Sequence, residues 1–390
     1  MRKTLLILAL LVIFLLIPGV SAMATDTLDE IISEQIDSLG VDEISGLVSE
    51  LTREISDYIP DMNLRELLTS MTRGQWKLNV SLFFNGILRF LFREVTANYI
   101  LLGSLLILAI VCGIFKNFQS AFESNSIGKM AMGICHITLI GIAINSFHIA
   151  FRIGSEAIST MVTFMQAILP IMLTLMIAMG GIVSGGVFQP IILMTVSGVS
   201  TLIRDILLPM VFFSAILAVI NNIAENIQVN KLAGLVRDVS VAVLGIFMSI
   251  FLGILVVQGA TAAAVDGVSI RTAKFATKAF IPIVGGIFAD TIDTVVGCSL
   301  LIKNALGAIG LIMVFIICLF PVLKILALIF IYRLVAALME PIGEDRLIRC
   351  INSMGNSLVF LFVIVSSVGV MFFITLTTII AVSNLTLMMR

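Results

Sequence analysis

Long apolar segments restrict the fold of this chain more than any other feature. A helix that crosses a bilayer needs about 20 mainly apolar residues, and lipid offers its backbone groups no partners outside the protein. Seven apolar segments are clear candidates: Tyr99–Phe115, Met130–Ala150, Ile158–Val183, Ile206–Ile220, Val239–Gln258, Leu306–Ile331 and Leu358–Val382. Two more are ambiguous, because Val187–Ile203 is short and Ile281–Ile302 contains two aspartates. We predict an all-α, polytopic membrane protein whose multispan body, residues 99–390, has about seven to nine spans.

The composition supports this class and excludes several functions. Hydrophobic residues make up 59% of the chain and charged residues 12%, whereas a soluble domain has about 25% charged residues. The formal net charge of −1 gives no basic excess for binding nucleic acid. GxxxxGK[ST], HExxH and GxSxG motifs are absent, so we predict a protein without catalytic, cofactor or metal sites. The scattered cysteines form no CxxC pair and predict no disulfide framework.

The N-terminal quarter differs in kind from the rest. Residues 1–24 begin with Arg2 and Lys3, continue with an apolar run and end in small residues, which is typical of a signal peptide; an uncleaved first helix is the alternative. Residues 25–75 are acidic and repeat apolar side chains at helical spacing, so we predict short amphipathic helices outside the cytoplasm. Residues 76–98 combine aromatic and basic side chains and predict an amphipathic helix in the membrane interface, or else the start of the next span.

The membrane body shows signs of an internal repeat. A single shift of the sequence places Pro170 on Pro282 and several glycines on glycines, which relates residues 99–210 to residues 211–322; coincidence is the alternative. The segments "AMGGIVSGGVFQP" and "FADTIDTVVGCSL" then correspond to each other. We predict that both are interrupted helices, because broken helices near the functional site are common in transporters.

Asp290 and Asp293 are the sharpest candidates for a site within the membrane. Carboxylates are costly in lipid and rare there without a role, and a spacing of three residues puts both on one helix face. One interpretation is a cation or proton site, and the other is a solvated helix end, since the corresponding segment carries glycines and no facing carboxylates. The glycines of that segment, and Gly297 near the aspartates, have two interpretations: they line a pore, or they let helices pack closely. The glycines of the segment are Gly180, Gly181, Gly185 and Gly186.

Charged residues orient the body and mark its surfaces. Arg271, Lys274 and Lys278 share a helical face and predict contacts with the membrane interface. The neighbours Arg204 and Asp205 interrupt two apolar runs and indicate a boundary of the membrane. Three basic regions suit the cytoplasmic side: Lys116–Lys129, Lys231–Arg237 and Arg333–Arg349.

Several long runs resemble one known family. They are "DGVSIRTAKFATKAFIPIVGGIFADTIDTVVGCSLLIKNALG", "CLFPVLKILALIFIYRLVAALMEPIG" and the terminal "LMMR". With the signal peptide, the acidic helical segment and the multispan body, they resemble the stage III sporulation protein AE family over essentially the whole chain. The resemblance implies a permease-like or pore-forming subunit of the stage III sporulation A–Q complex, a channel of secretion type that links mother cell and forespore. It also implies a place in the mother-cell membrane that surrounds the forespore.

The partners follow from the same resemblance. They are the other subunits of the complex, including an ATPase that supplies energy in trans, and membrane lipid, with self-association left open and no nucleic acid. The family has no established catalytic residues to carry over. Two alternatives stay open: an ion-coupled secondary transporter that uses Asp290 and Asp293, and a scaffold that conducts nothing. Replacing both aspartates distinguishes the transporter from the scaffold.

Overall fold

The computed structural model describes residues 45–46, 48–49, 64–72, 80–121, 125–179, 181–221, 229–280, 285–341 and 345–388. Every regular element in these ranges is helical, which confirms the predicted all-α class. A π-helical turn, Ile203–Leu207, joins two of the helices. The helices are α1 Leu64–Thr72, α2 Val80–Ala97, α3 Tyr99–Ala121, α4 Asn125–Ala178, α5 Ile182–Leu202, α6 Leu208–Ile220, α7 Asn230–Phe280, α8 Gly285–Met339 and α9 Asp345–Met388.

Six helical stretches in the described ranges are long and apolar enough to cross a membrane. Many of their large apolar side chains remain exposed on the outside of the bundle, as expected where lipid replaces water. The chain is therefore a multi-pass α-helical membrane protein. The six stretches are Tyr99–Lys116, Met130–Ala178, Pro190–Ile220, Lys231–Gly259, Val295–Met339 and Asp345–Val382.

The longest helices join segments that the sequence analysis treats as separate spans. Met130–Ala150 and most of Ile158–Val183 lie on α4, which has 54 residues and does not break between them. The residues in between contain no proline, and they place Arg152 and Glu156 at the i, i+4 spacing, where the side chains form a 3.2 Å ion pair that supports the helix. The described chain thus has six long membrane-capable stretches where the sequence predicts seven to nine separate spans.

A π-helical turn produces another continuous stretch. It connects Val187–Ile203 to Ile206–Ile220, so that α5 and α6 follow each other without a loop. Pro209 lies at the start of α6 and has no backbone N–H to bond the carbonyl of Asp205, so the regular ladder cannot continue through this turn. Such turns occur mostly inside longer α-helices.

Contacts with α9 fix the directions of the neighbouring helices. On α4, Gly154 lies against Leu361 and Val365, and Met161 lies near Gly369. From the first contact to the second, the residue number rises on both helices, so α4 and α9 run parallel. The guanidinium of Arg237 and Gly259, which are both on α7, lie against successive parts of α9 in the same order, so α7 is also parallel to α9.

Helix α8 runs in the opposite direction and packs closely against α9. Tyr332 lies near Gly355, whereas Gly307 lies against Ile380. A methyl group on Gly307 would come 2.6 Å from the Ile380 side chain, and one on Gly369 would overlap Cys318. Small residues at these positions therefore let the two backbones approach, as in other membrane helix pairs.

The chain reverses direction at Gly181, between α4 and α5. Gln166 on α4 donates a hydrogen bond to Ser197 Oγ on α5 at 3.1 Å, which places the two helices side by side and antiparallel. The last turns of α4 and α9 and the first half of α8 therefore lie at one end of the bundle. We call this the Gly181 end.

The described N-terminal residues pack on α8. Leu68 of α1 is fully buried in the core, and α1 contacts α8. Phe90 of α2 is buried against Phe320, with ring centroids 4.6 Å apart in an edge-to-face arrangement. Helical hydrogen bonding continues through Asn98, whose amide donates to the Glu94 carbonyl, so α2 leads into α3 with only a single-residue turn.

Some predictions lie outside the described residues. The signal peptide, residues 1–24, is one, and most of residues 25–75 is another. The interfacial location of residues 76–98 and the repeat of residues 99–210 in 211–322 stay predictions. One consequence of the repeat is wrong: "AMGGIVSGGVFQP" is interrupted at Gly181, but "FADTIDTVVGCSL" lies on α8 without a break, because it contains no proline and only one glycine.

Candidate functional site

The predicted polar residues fall on two helix segments whose side chains the structure does not describe. Asp290 and Asp293 lie in the first turns of α8. Arg271, Lys274 and Lys278 lie in the last turns of α7. The backbone places each group on one helix, as the sequence spacing predicts, and the roles of the five side chains stay predictions.

Two of the predicted glycines are needed for packing at the reversal of the chain. The amide of Gly181 donates a 2.9 Å hydrogen bond to the Met176 carbonyl, and a methyl group on Gly181 would come 2.9 Å from that same oxygen. Gly185, one turn into α5, is also buried, and a methyl group there would overlap Ile177. Neither position has room for a side chain, so α5 can turn back closely along α4.

The other predicted glycines either have free space around them or lie outside the described residues. Gly186 is exposed, and a methyl group on it would meet no atom within 4 Å in the described part of the chain. Gly297 on α8 is half-buried, and a methyl group on it would likewise meet no described atom within 4 Å. Gly180 lies outside the described residues. Of the segment from Gly180 to Gly186, Gly186 is therefore the described position that accepts a larger side chain.

Lys303 brings a positive charge into the interior at the Gly181 end. Its residue is fully buried on α8. The ammonium donates hydrogen bonds to the Ile380 carbonyl at 3.2 Å and to Asn384 Oδ1 at 3.1 Å, both on α9. A buried charge is tolerated only where such partners replace water. Lys303 therefore ties α8 to the last turns of α9.

Asp266 brings a carboxylate to the same end of the bundle. It lies on α7 and is fully buried. A methyl group on Gly181 would lie 3.4 Å from Asp266 Oδ2, so the carboxylate packs directly against the reversal that begins α5. The N-terminus of a helix carries a partial positive charge from its unbonded N–H groups. The start of α5 at Ile182 is therefore a favourable neighbour for this carboxylate.

Further polar groups accompany these two charges. Gln258, two turns before Asp266 on α7, is buried, and neither atom of its amide has a hydrogen-bond partner among the described residues. The amide oxygen of Asn304, next to Lys303, is also buried and has no hydrogen-bond partner among the described residues. Gly259 lies against Val382 of α9, which places this part of α7 near the Lys303 contacts.

A cation, a carboxylate and amide groups with no partner in the described part of the chain thus collect at one end of a mainly apolar bundle. Polar groups of this kind inside a membrane protein usually face the bundle interior or a water-filled cavity and mark a path for a polar solute. We call Gln258, Asp266, Lys303, Asn304 and Asn384 the polar cluster.

Comparisons with known proteins identify the family. The family model of stage III sporulation protein AE matches residues 62–383 of the chain. The chain belongs to the stage III sporulation protein AE family. A curated member of the family from Bacillus subtilis (strain 168), named stage III sporulation protein AE, is 38% identical over 365 residues, which cover 94% of this chain and 91% of that protein. No solved structure matches the chain. The resemblance identified from sequence is therefore confirmed, and with it a role in sporulation.

Sequence reasoning missed the polar cluster of this family member, although one signal was present. Asp266 is the first charged residue after Asp238, so it ends a long uncharged run. It comes shortly before the basic face of Arg271, Lys274 and Lys278, and a carboxylate beside basic residues is unremarkable. Gln258 and Asn384 lie at the ends of apolar runs and give no signal of their own, because ends of spans are commonly polar.

Proposed function

We propose that this chain is a permease-like, pore-forming membrane subunit of a transenvelope complex that links mother cell and forespore during endospore formation. Family membership supports the sporulation setting, and six membrane-capable stretches support a role within the membrane. The polar cluster carries the proposal, because Lys303 and Asp266 are fully buried charges in a bundle whose described core is mainly apolar. Buried charges are costly inside a membrane protein, and they usually mark a solute path or form a fixed contact.

The proposed subunit does not perform chemistry of its own. The sequence contains no GxxxxGK[ST] loop, so energy for transport comes from an ATPase that acts in trans. The other subunits of a stage III sporulation A–Q type complex are its proposed partners, and the mother-cell membrane around the forespore is its proposed location. Residues 25–75 then project into the space between the two membranes.

A pair of glycine substitutions on α5 tests the pore. Gly186 and Gly198 are both exposed, and a methyl group on either would meet no described atom within 4 Å. Gly186 lies in the segment at the chain reversal, whereas Gly198 lies about three turns further along the helix. We expect Gly186→Trp to block passage at the reversal, while Gly198→Trp leaves passage intact.

The measurement uses sporulating cells in which the chain replaces the host's own family member. Transcription of a forespore reporter after engulfment reports passage, and copurification of the partner subunits reports assembly. Gly186→Trp should assemble normally and lower reporter transcription to the level of a deletion strain, and Gly198→Trp should match the unsubstituted chain. Normal assembly and normal transcription with Gly186→Trp would show that this segment does not line a pore.

A further inference from the structure

The second half of α4 exposes polar side chains where a membrane helix normally exposes apolar ones. From Arg152 to Thr174, a range that the structure describes in full, every exposed residue is polar. Successive members are three or four residues apart, with one gap of about two turns, so they lie along one side of the helix. We call them the polar strip: Arg152, Glu156, Ser159, Thr163, Gln166 and Thr174.

The strip contains groups that lipid cannot satisfy. Arg152 and Glu156 form an ion pair whose side chains are 75% and 67% exposed. Gln166 donates one of its amide N–H groups to Ser197 Oγ, and the rest of this exposed amide needs another polar neighbour. The Thr163 hydroxyl donates to a carbonyl of its own helix, so lipid alone would tolerate it. The ion pair and the amide therefore decide what the strip can face.

Contacts with α9 set the height of the strip along the bundle. Helices α4 and α9 run parallel, and Met161 of α4 lies near Gly369. Two turns further on, Ile168 and Leu376 both lie against the same glycine of α8. A residue of α4 is thus level with the residue of α9 whose number is 208 higher.

Helix α7 advances along α9 in the same way. The guanidinium of Arg237 lies over the ring of Phe360, with 5.9 Å between its carbon and the ring centroid. Gly259 lies against Val382, and both contacts have therefore moved 22 residues along their helices. A residue of α7 is thus level with the residue of α9 whose number is 123 higher.

At the level of the polar strip, α7 exposes large apolar side chains. Ile246 is 57% exposed, Ile250 is 53% exposed and Val256 is 69% exposed. Side chains of this kind suit lipid, whereas an exposed ion pair and amide do not. At one level along the bundle, therefore, α7 presents a surface for lipid and α4 presents a surface for a polar environment.

The side of α5 next to the strip contains Gly186. Ser197 marks this side, because it accepts the hydrogen bond from Gln166. Gly186 is 11 residues from Ser197, which is about three full turns, so both lie on the same side of α5. Gly198 is turned about 100° away from Ser197. Gly186 therefore lies on the side of α5 that meets the strip, and Gly198 does not.

We propose that the polar strip faces water and forms part of the wall of an aqueous path through the membrane, while lipid covers the exposed face of α7. The proposal rests on the pore function proposed above and specifies a wall for that pore. From Arg152 to Thr174 the helix rises about 33 Å, at about 1.5 Å per residue. Because the hydrocarbon layer is about 30 Å thick, a strip of this length offers polar groups to a solute across the whole layer.

Thr163 and Ser249 form a matched pair for a test of water access. Both are exposed, they are level with Met371 and Phe372 of α9, and each hydroxyl donates to the carbonyl four residues earlier in its own helix. Each is replaced by cysteine in the full chain, and open membrane fragments from sporulating cells are treated with a charged, membrane-impermeant methanethiosulfonate. The reacting species is the thiolate, which lipid disfavours. Four of the five native cysteines are buried, so the unsubstituted chain gives the labelling background.

We expect Thr163→Cys to be modified several-fold faster than Ser249→Cys. Equal rates, or faster modification of Ser249→Cys, would overturn the proposal. Disulfide-linked dimers of Thr163→Cys in place of modification would also overturn it, because they would put a second copy of the chain on the strip.

Tryptophan variants separate the wall from the pore function itself. Thr163→Trp should lower forespore reporter transcription at normal assembly, and Ser249→Trp should leave transcription unchanged. If Gly186→Trp blocks passage but Thr163→Cys is not modified, the pore function stands and the strip is not its wall. If Thr163→Cys is modified but neither Thr163→Trp nor Gly186→Trp lowers transcription, the strip faces water and the pore function fails.

Discussion

At the scale of single residues, the ammonium of Lys303 depends on acceptors from another helix. Its two described acceptors are the Ile380 carbonyl and Asn384 Oδ1, both neutral. Asn384→Leu removes one of them and leaves the charge buried, so we expect a loss of about 1.5–3 kcal/mol in the free energy of unfolding. Lys303→Met removes the charge and keeps most of the volume, so we expect a change near zero or a gain. Thermal melts of both variants in detergent micelles check this. A larger loss with Lys303→Met would show that pairing outweighs desolvation at this site.

At the scale of helices, the closeness of α8 and α9 depends on glycine. A methyl group on Gly307 would come 2.6 Å from the Ile380 side chain, so Gly307→Val should push the helices apart and lower the free energy of unfolding by about 1–3 kcal/mol. Gly297 is the matched control on the same helix, because nothing described lies within 4 Å of a methyl group there. Melting temperatures of Gly307→Val and Gly297→Val should therefore differ clearly. Equal melting temperatures would mean that Ile380 moves aside without strain.

The helices also show what the sequence can and cannot predict. The apolar segments predict the α-helical membrane class because a span needs a certain length of apolar sequence, a property of the segment alone. The glycines near Gly181 predict the interruption there, because glycine disfavours a continuous helix whatever its neighbours in the fold are. The continuity of α4 through Arg152 and Glu156 is not predicted, because a charged interval fits a loop or a helix equally well until its neighbours are known. Likewise Asp266 becomes a site residue only when the fold brings it against Gly181, far away in the sequence.

At the scale of the whole molecule, a pore subunit driven by an ATPase in trans and an ion-coupled transporter make opposite demands on two carboxylates. An ion-coupled carrier needs groups that bind and release the coupling ion, and Asp290 and Asp293 are the pair that the sequence offers for this role. A pore subunit does not need them to titrate. We therefore expect the double change Asp290→Asn with Asp293→Asn to leave forespore reporter transcription close to that of the unsubstituted chain. Asp266→Asn is the matched control, since it removes a buried charge at the Gly181 end and should lower transcription at unchanged protein level. If the double variant accumulates normally and transcription is lost, coupling to an ion gradient becomes the better account, because the same amide change would then have removed the titratable groups on which passage depends.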